Sequence, residues 1–382
     1  KIAMLRTDNS KVILFLSFLI YLLPIALVSG PAIPDIIISV CGIIYLINIF
    51  FIKKKNINYN PLIILIILWC AYLIILSLVS NNPLFSLESS LFFSRFFIFA
   101  FFISFIIQKN LNFLKIFTII LLITLVIVSF DSFLQFLYGY NSLGFFMPDD
   151  LSGKGRISGF FRNELILGSF LVRLFPLCIG LLIYNFSYLK NFKILLIFLI
   201  VLFNISIFIS GERSAIFYCV LSNFILLILS NKFNLQILIS HFITIIIIIF
   251  LTYFNSDLKN RIFNYSLHQL NILQINYNDD QEQNQIDTED FIFNNDNQSM
   301  DNEKKLKMNV LFKDLIFFSV ENEIFFYKSL KIFDSNKIFG IGPKMYRLEC
   351  SKVTYIVDKH IDKTLSEDAM LKYGCNTHPH NI

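Results

Sequence analysis

Charge is scarce in this chain. Only 15% of its 382 residues are Asp, Glu, Lys or Arg, where a soluble globule carries about a quarter. Glycine is scarce as well, 13 residues against 45 Phe, so the apolar excess lies in side chains compatible with lipid. There is no basic tract of the kind that grips nucleic acid, and the net charge of +5 is modest. The first apolar run has no small-residue cleavage site after it, so we expect no cleavable signal peptide. No internal repeat is visible. What remains is a chain 56% hydrophobic with a mean hydropathy of +0.67, which argues against a soluble helical bundle.

A helix that crosses the roughly 30 Å hydrocarbon layer needs about 20 apolar residues. Nine stretches qualify as candidate spans: 12–28, 36–52, 61–79, 91–107, 116–137, 165–184, 194–210, 215–229 and 235–253. An isolated strand in lipid would leave its backbone groups unpaired, so helix is the only sensible reading. The expected fold class is therefore all-α, a polytopic membrane helical bundle.

Orientation follows from Lys and Arg in short loops. Lys1, Arg6 and Lys11 precede the first span, Lys53 to Lys55 follow the second, Lys109 and Lys115 the fourth, Lys190 and Lys193 the sixth, and Lys232 the eighth. All fall on one side, read as the cytoplasm. The N-terminus is then inside, and everything after Tyr253 forms a large outer loop. Two domains are expected, a transmembrane part at 1–254 and an outer loop at 255–382. Within the loop, 271–303 is rich in Asn, Asp, Gln and Glu and too poor in apolar residues to offset its chain entropy, so disorder is expected there. Residues 311–333 have the spacing of an amphipathic helix at the membrane surface, ended by a Gly/Pro turn. The chain opens on Lys1 and stops at Ile382 just after a dense polar motif, so we expect a fragment truncated before further spans.

Ionisable groups inside a bilayer are costly and are functional candidates by default. Arg95 is expected about one turn in from the outer end of the fourth span and Arg173 about two turns in from that of the sixth. Glu212 and Arg213 sit on the turn between spans seven and eight, and Arg156, Arg162 and Glu164 in a medium outer loop at 139–164. Positive charge is thus gathered on the side where it is normally rare. Guanidinium groups hold phosphate oxygens through paired, charge-assisted hydrogen bonds, so an outer-leaflet site for a lipid-linked phosphate or pyrophosphate would explain the placement. The competing reading is that each Arg snorkels to the interface or pairs with a carboxylate such as Asp131 or Glu164.

His378 and His380 stand two residues apart in Thr377-His-Pro-His-Asn381. An imidazole titrates near neutrality and could deprotonate a sugar hydroxyl that then attacks an anomeric carbon bearing a pyrophosphate leaving group. Two His without a third ligand are weak evidence for a metal, and a merely solvated loop fits the spacing equally well. His241 reads as a packed residue of the ninth span. Cys41, Cys70, Cys178 and Cys219 fall within spans and read as packing residues. Cys350 and Cys375 are both on the outer, oxidising side and are expected to pair. Their disulfide would close a loop of about 25 residues, which the chain-entropy model values at roughly 3 kcal/mol.

Four stretches give the chain a resemblance to the O-antigen ligase and O-antigen polymerase superfamily. They are Arg156-Ile-Ser-Gly-Phe-Phe-Arg-Asn-Glu-Leu-Ile-Leu-Gly-Ser169, Ile209-Ser-Gly-Glu-Arg-Ser-Ala215, Phe339-Gly-Ile-Gly-Pro-Lys344 and Thr377-His-Pro-His-Asn381. The span pattern with a large late outer loop is similar too. The resemblance implies a metal-independent membrane glycosyltransferase with a C-like fold and no cofactor. Such enzymes move a glycan from undecaprenyl pyrophosphate, at the periplasmic face of the bacterial inner membrane, to an acceptor hydroxyl. In the ligases that acceptor is lipid A–core. By this resemblance Arg213 matches the family's Ser/Thr-Gly-x-Arg turn and His380 its His-Asn pair, with His380 the proposed base and arginines holding the pyrophosphate. Arg95 and Arg173 match by span position only. Arg162 joins the pyrophosphate set, and Glu164 and Glu212 are supporting candidates. A polymerase that extends lipid-linked repeat units and a protein O-oligosaccharyltransferase share these motifs. From another class, a lipid-linked oligosaccharide flippase or solute transporter would more often show internal repeats and ionisable groups near the midplane.

The cysteine pairing has a direct check. A thiol alkylator applied to native membranes without reductant should leave Cys350 and Cys375 unmodified, and labelling of both would refute the bridge.

Overall fold

The computed structural model describes residues 9–47, 61–110, 112–148, 156–230, 232–260, 262, 320–337, 340–352 and 375. The polar stretch 271–303 and the histidine pair lie outside them. The described residues are overwhelmingly helical, and their only extended pairing is an isolated bridge between Tyr140 and Phe146. Among the described residues nine apolar helices follow one another: α1 (Asn9–Val28), α2 (Ala32–Ile47), α3 (Pro61–Val79), α4 (Pro83–Lys109), α5 (Phe113–Tyr138), α6 (Leu167–Phe186), α7 (Phe192–Ile209), α8 (Arg213–Leu229) and α9 (Asn234–Phe254). Five of them, α4 to α7 and α9, are long and apolar enough to cross a membrane, and α1, α2, α3 and α8 are apolar over shorter described stretches. The chain is an all-α membrane helical protein.

Leucine, isoleucine and phenylalanine cover the bundle outside as well as inside. Leu65, Phe92, Ile127 and Phe242 are all exposed, a pattern that water would penalise and lipid does not. The helices differ in how far they are enclosed. α7 is the central one: every residue from Leu202 to Ile209 is buried, as expected of a helix apolar on all faces. It packs on α5, α6, α8 and α9. Between helices in lipid, close packing and hydrogen bonds supply the adhesion that water supplies elsewhere. Asn223 of α8 donates to Asn204 Oδ1 of α7 at 3.0 Å, and Asn185 of α6 donates to Thr118 of α5 at 3.0 Å.

Two apolar cores result. One joins α5 to α9 through Leu171, Phe175, Phe203 and Ile237. The other joins α1, α2 and α4 to the start of α5 through Leu16, Cys41, Phe102 and Phe113. The halves meet mainly where α1 packs on α5, with a smaller contribution from α4.

Hydropathy places the start of the fourth span at residue 91, but the helix begins eight residues earlier, at Pro83. Pro in the first turn suits a helix start, since its missing N–H would have no partner there. The extra turns carry Ser86, Glu88 and Ser90, too polar to register as a span. Arg95 is therefore about three turns in from the start of α4, rather than one from its end.

Those extra turns receive the late part of the chain. Residues expected as an amphipathic helix at 311–333 are described from Val320, where a helix runs to Ser335. The Gly/Pro turn that follows seats against the α3–α4 connection. Ser86 Oγ donates to Pro343 O at 2.9 Å, Asn81 Nδ2 donates to Glu349 Oε1 at 2.8 Å, and Lys344 pairs with Glu88 at 3.2 Å. Burial raises the pKa of Glu349, but hydrogen bonds from Lys352 and Asn81 outweigh it and hold the carboxyl below its ordinary range. Cys350 and Cys375 form a disulfide with Cα atoms 5.7 Å apart, and the buried Lys328 ammonium lies 3.6 Å from Cys375 Sγ.

Gly342 shows how closely this turn is seated. Its φ is +95°, and a Cβ there would lie 2.9 Å from Ser80 Cβ and 3.1 Å from Ser86 Oγ. Gly342→Ala should loosen the docking by about 1 to 3 kcal/mol through overpacking and backbone strain. Limited proteolysis of the purified protein checks this: cleavage within 320–352 should rise several-fold, and unchanged resistance would refute the docking.

Candidate functional site

The connection between α5 and α6 is where the sequence concentrates candidate residues, and α5 itself holds it in shape. Gly139 ends α5 in the left-handed conformation, φ +81°, and its N–H donates to Gln135 O at 2.9 Å. Beyond it, three buried polar side chains anchor the chain. Asp131 Oδ1 accepts from Ser142 N at 2.9 Å and from Ser142 Oγ at 2.5 Å. Gln135 Oε1 accepts from Ser158 N at 2.9 Å and Gly159 N at 2.7 Å. Asn141 Oδ1 accepts from Leu143 N at 3.1 Å and Phe145 N at 2.8 Å, while its Nδ2 donates to Gly159 O at 3.0 Å. Buried backbone groups that lack helix or sheet partners thus find side-chain ones. Asp131 is committed to this network and does not serve as a counter-ion for any described Arg.

The network delivers Arg162. It follows the short 3-10 turn Gly159–Phe161 and adopts φ +55°, a conformation that costs a non-glycine residue energy and that recurs at functional positions. Its guanidinium lies 4.6 Å from the centre of the Phe145 ring, whose face favours a cation. Arg156 Nε donates to Ser210 O at 3.1 Å, tying the same connection to the end of α7.

The start of α6 is fixed from the other side. Glu212 accepts from Ser169 N at 2.8 Å and from Ser169 Oγ, so its carboxylate satisfies a free N–H in the first turn of α6 and complements the positive end of that helix. Glu212 is a positioning residue, a role that its place on a separate turn gave no sign of. Gly168 permits the approach: a Cβ there would lie 2.5 Å from Ser210 Oγ and 2.9 Å from both Ala215 Cβ and Glu212 Oε2.

These elements enclose a cavity of about 1330 Å³ between the two halves of the bundle. Its lower wall is apolar, with Ile120, Ile123, Ile127 and Val128 of α5 facing Ile25 and Ile38 of α1 and α2. Its charged residues are Asp35, Arg162, Glu164 and Arg173, with Ser29 and Ser169 beside them and Thr124 the one polar residue of the α5 wall. Arg162 and Arg173 have no ion-pair partner among the described residues. Arg95 lies just behind the wall, its guanidinium 2.8 Å from Asp35 Oδ2. The space therefore combines an apolar trough with a charged mouth, in which the Arg162 and Arg173 guanidinium groups stand with the Asp35 and Glu164 carboxylates.

Of the expected trio Arg95, Arg173 and Arg213, only Arg173 lines this cavity; Arg162 takes a second place and Arg95 stands one ion pair away. Arg213 is the exposed first residue of α8 and is not in the lining. A cation there opposes the helix dipole, so helix stability does not account for its presence. Asp35, missed in the sequence reading, belongs to the first turn of α2 rather than to a loop, and its position one turn after Gly30-Pro31 was the available signal. His378 and His380 lie outside the described residues. Among the described residues no group of three His, Cys, Asp or Glu side chains could hold a metal ion.

No family model matches the chain, and neither a curated protein nor a solved structure is detectably similar to it.

Gly168→Ala tests the seating of α6. The added methyl should displace Glu212 from Ser169 and cost about 1 to 3 kcal/mol, read as a melting temperature lowered by several degrees. An unchanged melting temperature would show that α6 does not depend on this contact.

Proposed function

We propose that this chain is a membrane glycosyltransferase of the O-antigen ligase type. In this reading it moves a glycan from undecaprenyl pyrophosphate to an acceptor hydroxyl, lipid A–core in the simplest case, at the periplasmic face of a bacterial inner membrane. All nine apolar helices then cross the membrane, with the N-terminus cytoplasmic and the late segment periplasmic. The observation that carries the reading is the cavity, in which an apolar trough leads to Arg162 and Arg173 at the end where the polar connections gather. A lipid diphosphate has the matching form, with a long hydrocarbon chain that ends in a compact anion. The motif resemblance supports the same assignment.

The chemistry is a displacement at an anomeric carbon. Arg162 and Arg173 bind the diphosphate oxygens, which accept hydrogen bonds from both guanidinium forks. His380 takes the proton from the acceptor hydroxyl, with His378 beside it. The freed oxygen forms a bond to the anomeric carbon as the bond from that carbon to the diphosphate breaks. Negative charge grows on the leaving oxygen, and fixed cations at the mouth stabilise it more in the transition state than in the bound substrate. Glu164 lines the mouth with them, Glu212 holds the α6 turn that presents Arg173, and Arg213 begins the neighbouring helix.

Expression of the full-length gene in ligase-null and polymerase-null strains tests the activity. Long glycan attached to lipid A–core identifies the ligase, and long glycan left on the carrier lipid identifies the polymerase. Arg173→Ala and His380→Ala should each lower transfer by about 100-fold or more while insertion into the membrane is unchanged. Normal transfer by either variant removes that residue from the mechanism, and restoration of lipid-linked glycan export without any transfer would replace the reading with a flippase.

A further inference from the structure

We propose that Asp35 is an internal counter-ion that masks Arg95 and yields it only to a strongly charged head group, making the pair a selectivity device for diphosphates over monophosphates. The inference rests on the reading that the cavity takes a lipid-linked diphosphate.

Asp35 belongs to the cavity wall, and Arg95 does not. The carboxylate thus meets the space and lies 2.8 Å from a guanidinium that does not line it. Arg95 is built in from behind. Its guanidinium carbon lies 5.7 Å from the Phe92 ring centre and 5.0 Å from that of Phe96, and its Nε is buried without a hydrogen-bond partner. A cation stacked in this way needs an anion at its open edge, and Asp35 supplies one. The supply is not permanent. The Asp35 side chain is 45% exposed and that of Arg95 25%, and pairs this open to their surroundings add little stability.

Glu212 provides the contrast. Its two oxygens are both bonded to Ser169, and the absence of a side chain at Gly168 lets it sit there, so it is fixed. The Asp35 carboxylate has Arg95 as its one side-chain partner among the described residues and can part from it without breaking a network.

Arg162 and Arg173 line the same cavity. An anion bound there is repelled by Asp35 and attracted by Arg95, so it competes with Asp35 for the same guanidinium. A monophosphate brings less charge to that competition than a diphosphate and a shorter reach across the cavity. Two arginines then serve for recognition, and the third is released in proportion to the charge that arrives. The same competition helps the site let go of the diphosphate product, because Asp35 returns to Arg95 when the head group leaves.

The full-length protein in detergent can be tested with farnesyl diphosphate and farnesyl monophosphate as probes, binding being followed by titration. Wild type should favour the diphosphate. Asp35→Asn should bind both more tightly, with the monophosphate gaining about three- to tenfold more than the diphosphate, so that selectivity narrows. In an Arg95→Gln background Asp35→Asn should still relieve repulsion of both probes but should no longer favour the monophosphate, because no masked guanidinium remains; this double variant removes both charges, preserves shape and controls for misfolding. The same extra gain for the monophosphate in both backgrounds, or a gain no larger for the monophosphate than for the diphosphate in either, would show that Asp35 acts only as a repelling charge, and affinities within twofold of wild type would show that it does not face the ligand. Failure of wild type to bind either probe would also overturn the proposal, while glycan transfer in the complemented strains would still decide the activity separately.

Discussion

The arrangement depends on three polar side chains buried at one end of α5. Asp131, Gln135 and Asn141 supply acceptors and donors to a connection whose described residues hold only one 3-10 turn and one isolated bridge. An irregular backbone beside lipid is tolerated only where its amide groups are answered by protein. Without the network, the 139–166 connection would have to extend into solvent, and Arg162 would have no fixed direction. With it, a non-glycine residue can be kept at a positive φ over the face of Phe145. The strain at Arg162 and the burial of Gln135 are two sides of one structure, since the second holds the first in place.

The bundle around that anchor is built in halves with unequal enclosure. α7 sits in the middle of the larger half and is buried on all sides near the cavity end, whereas few residues of α4 are buried. The cavity occupies the boundary between the halves, where α1 on α5 is the main junction. A site at such a boundary can change width by small shifts between two packed bodies without disturbing either core. α4 belongs to the smaller half and carries both Arg95 and the turns that hold the late segment, so one rigid helix joins the cavity wall to the docked Gly/Pro turn.

Much of the architecture was legible in hydropathy. Among the described residues an apolar helix stands at each of the nine apolar runs, five of them long enough to cross a membrane, because nothing but a helix satisfies the backbone in such runs. The misplacements share one physical origin. Hydropathy reports where lipid would be tolerated and is blind to helix that continues beyond it, so the polar first turns of α4 and the Asp35 turn of α2 were read as connections. The charged candidates were legible as a set but not as a group. Which Arg faces the cavity is decided by buried partners such as Gln135 and by the close approach at Gly168, and those pairings join residues dozens of positions apart. Glu212 looked like an acid beside a base, yet its work is to cap a helix two elements away. The link between Cys350 and Cys375 was within reach because both lie in the segment that follows α9, with no other cysteine there to choose from.

The seat of the late segment also sets a schedule for synthesis. Asn81 and Glu349, which meet across that seat, are 268 residues apart in the chain. At ribosomal speeds of about 5 to 20 residues per second, roughly 13 to 54 s pass between the emergence of the first and the arrival of the second. For that interval the α3–α4 connection has been made but its partner has not, and Ser86, Glu88 and Asn81 face whatever else is near. The smaller half of the protein must therefore stand in the bilayer on its own packing, and the docked turn closes onto it only after α5 to α9 have been laid down.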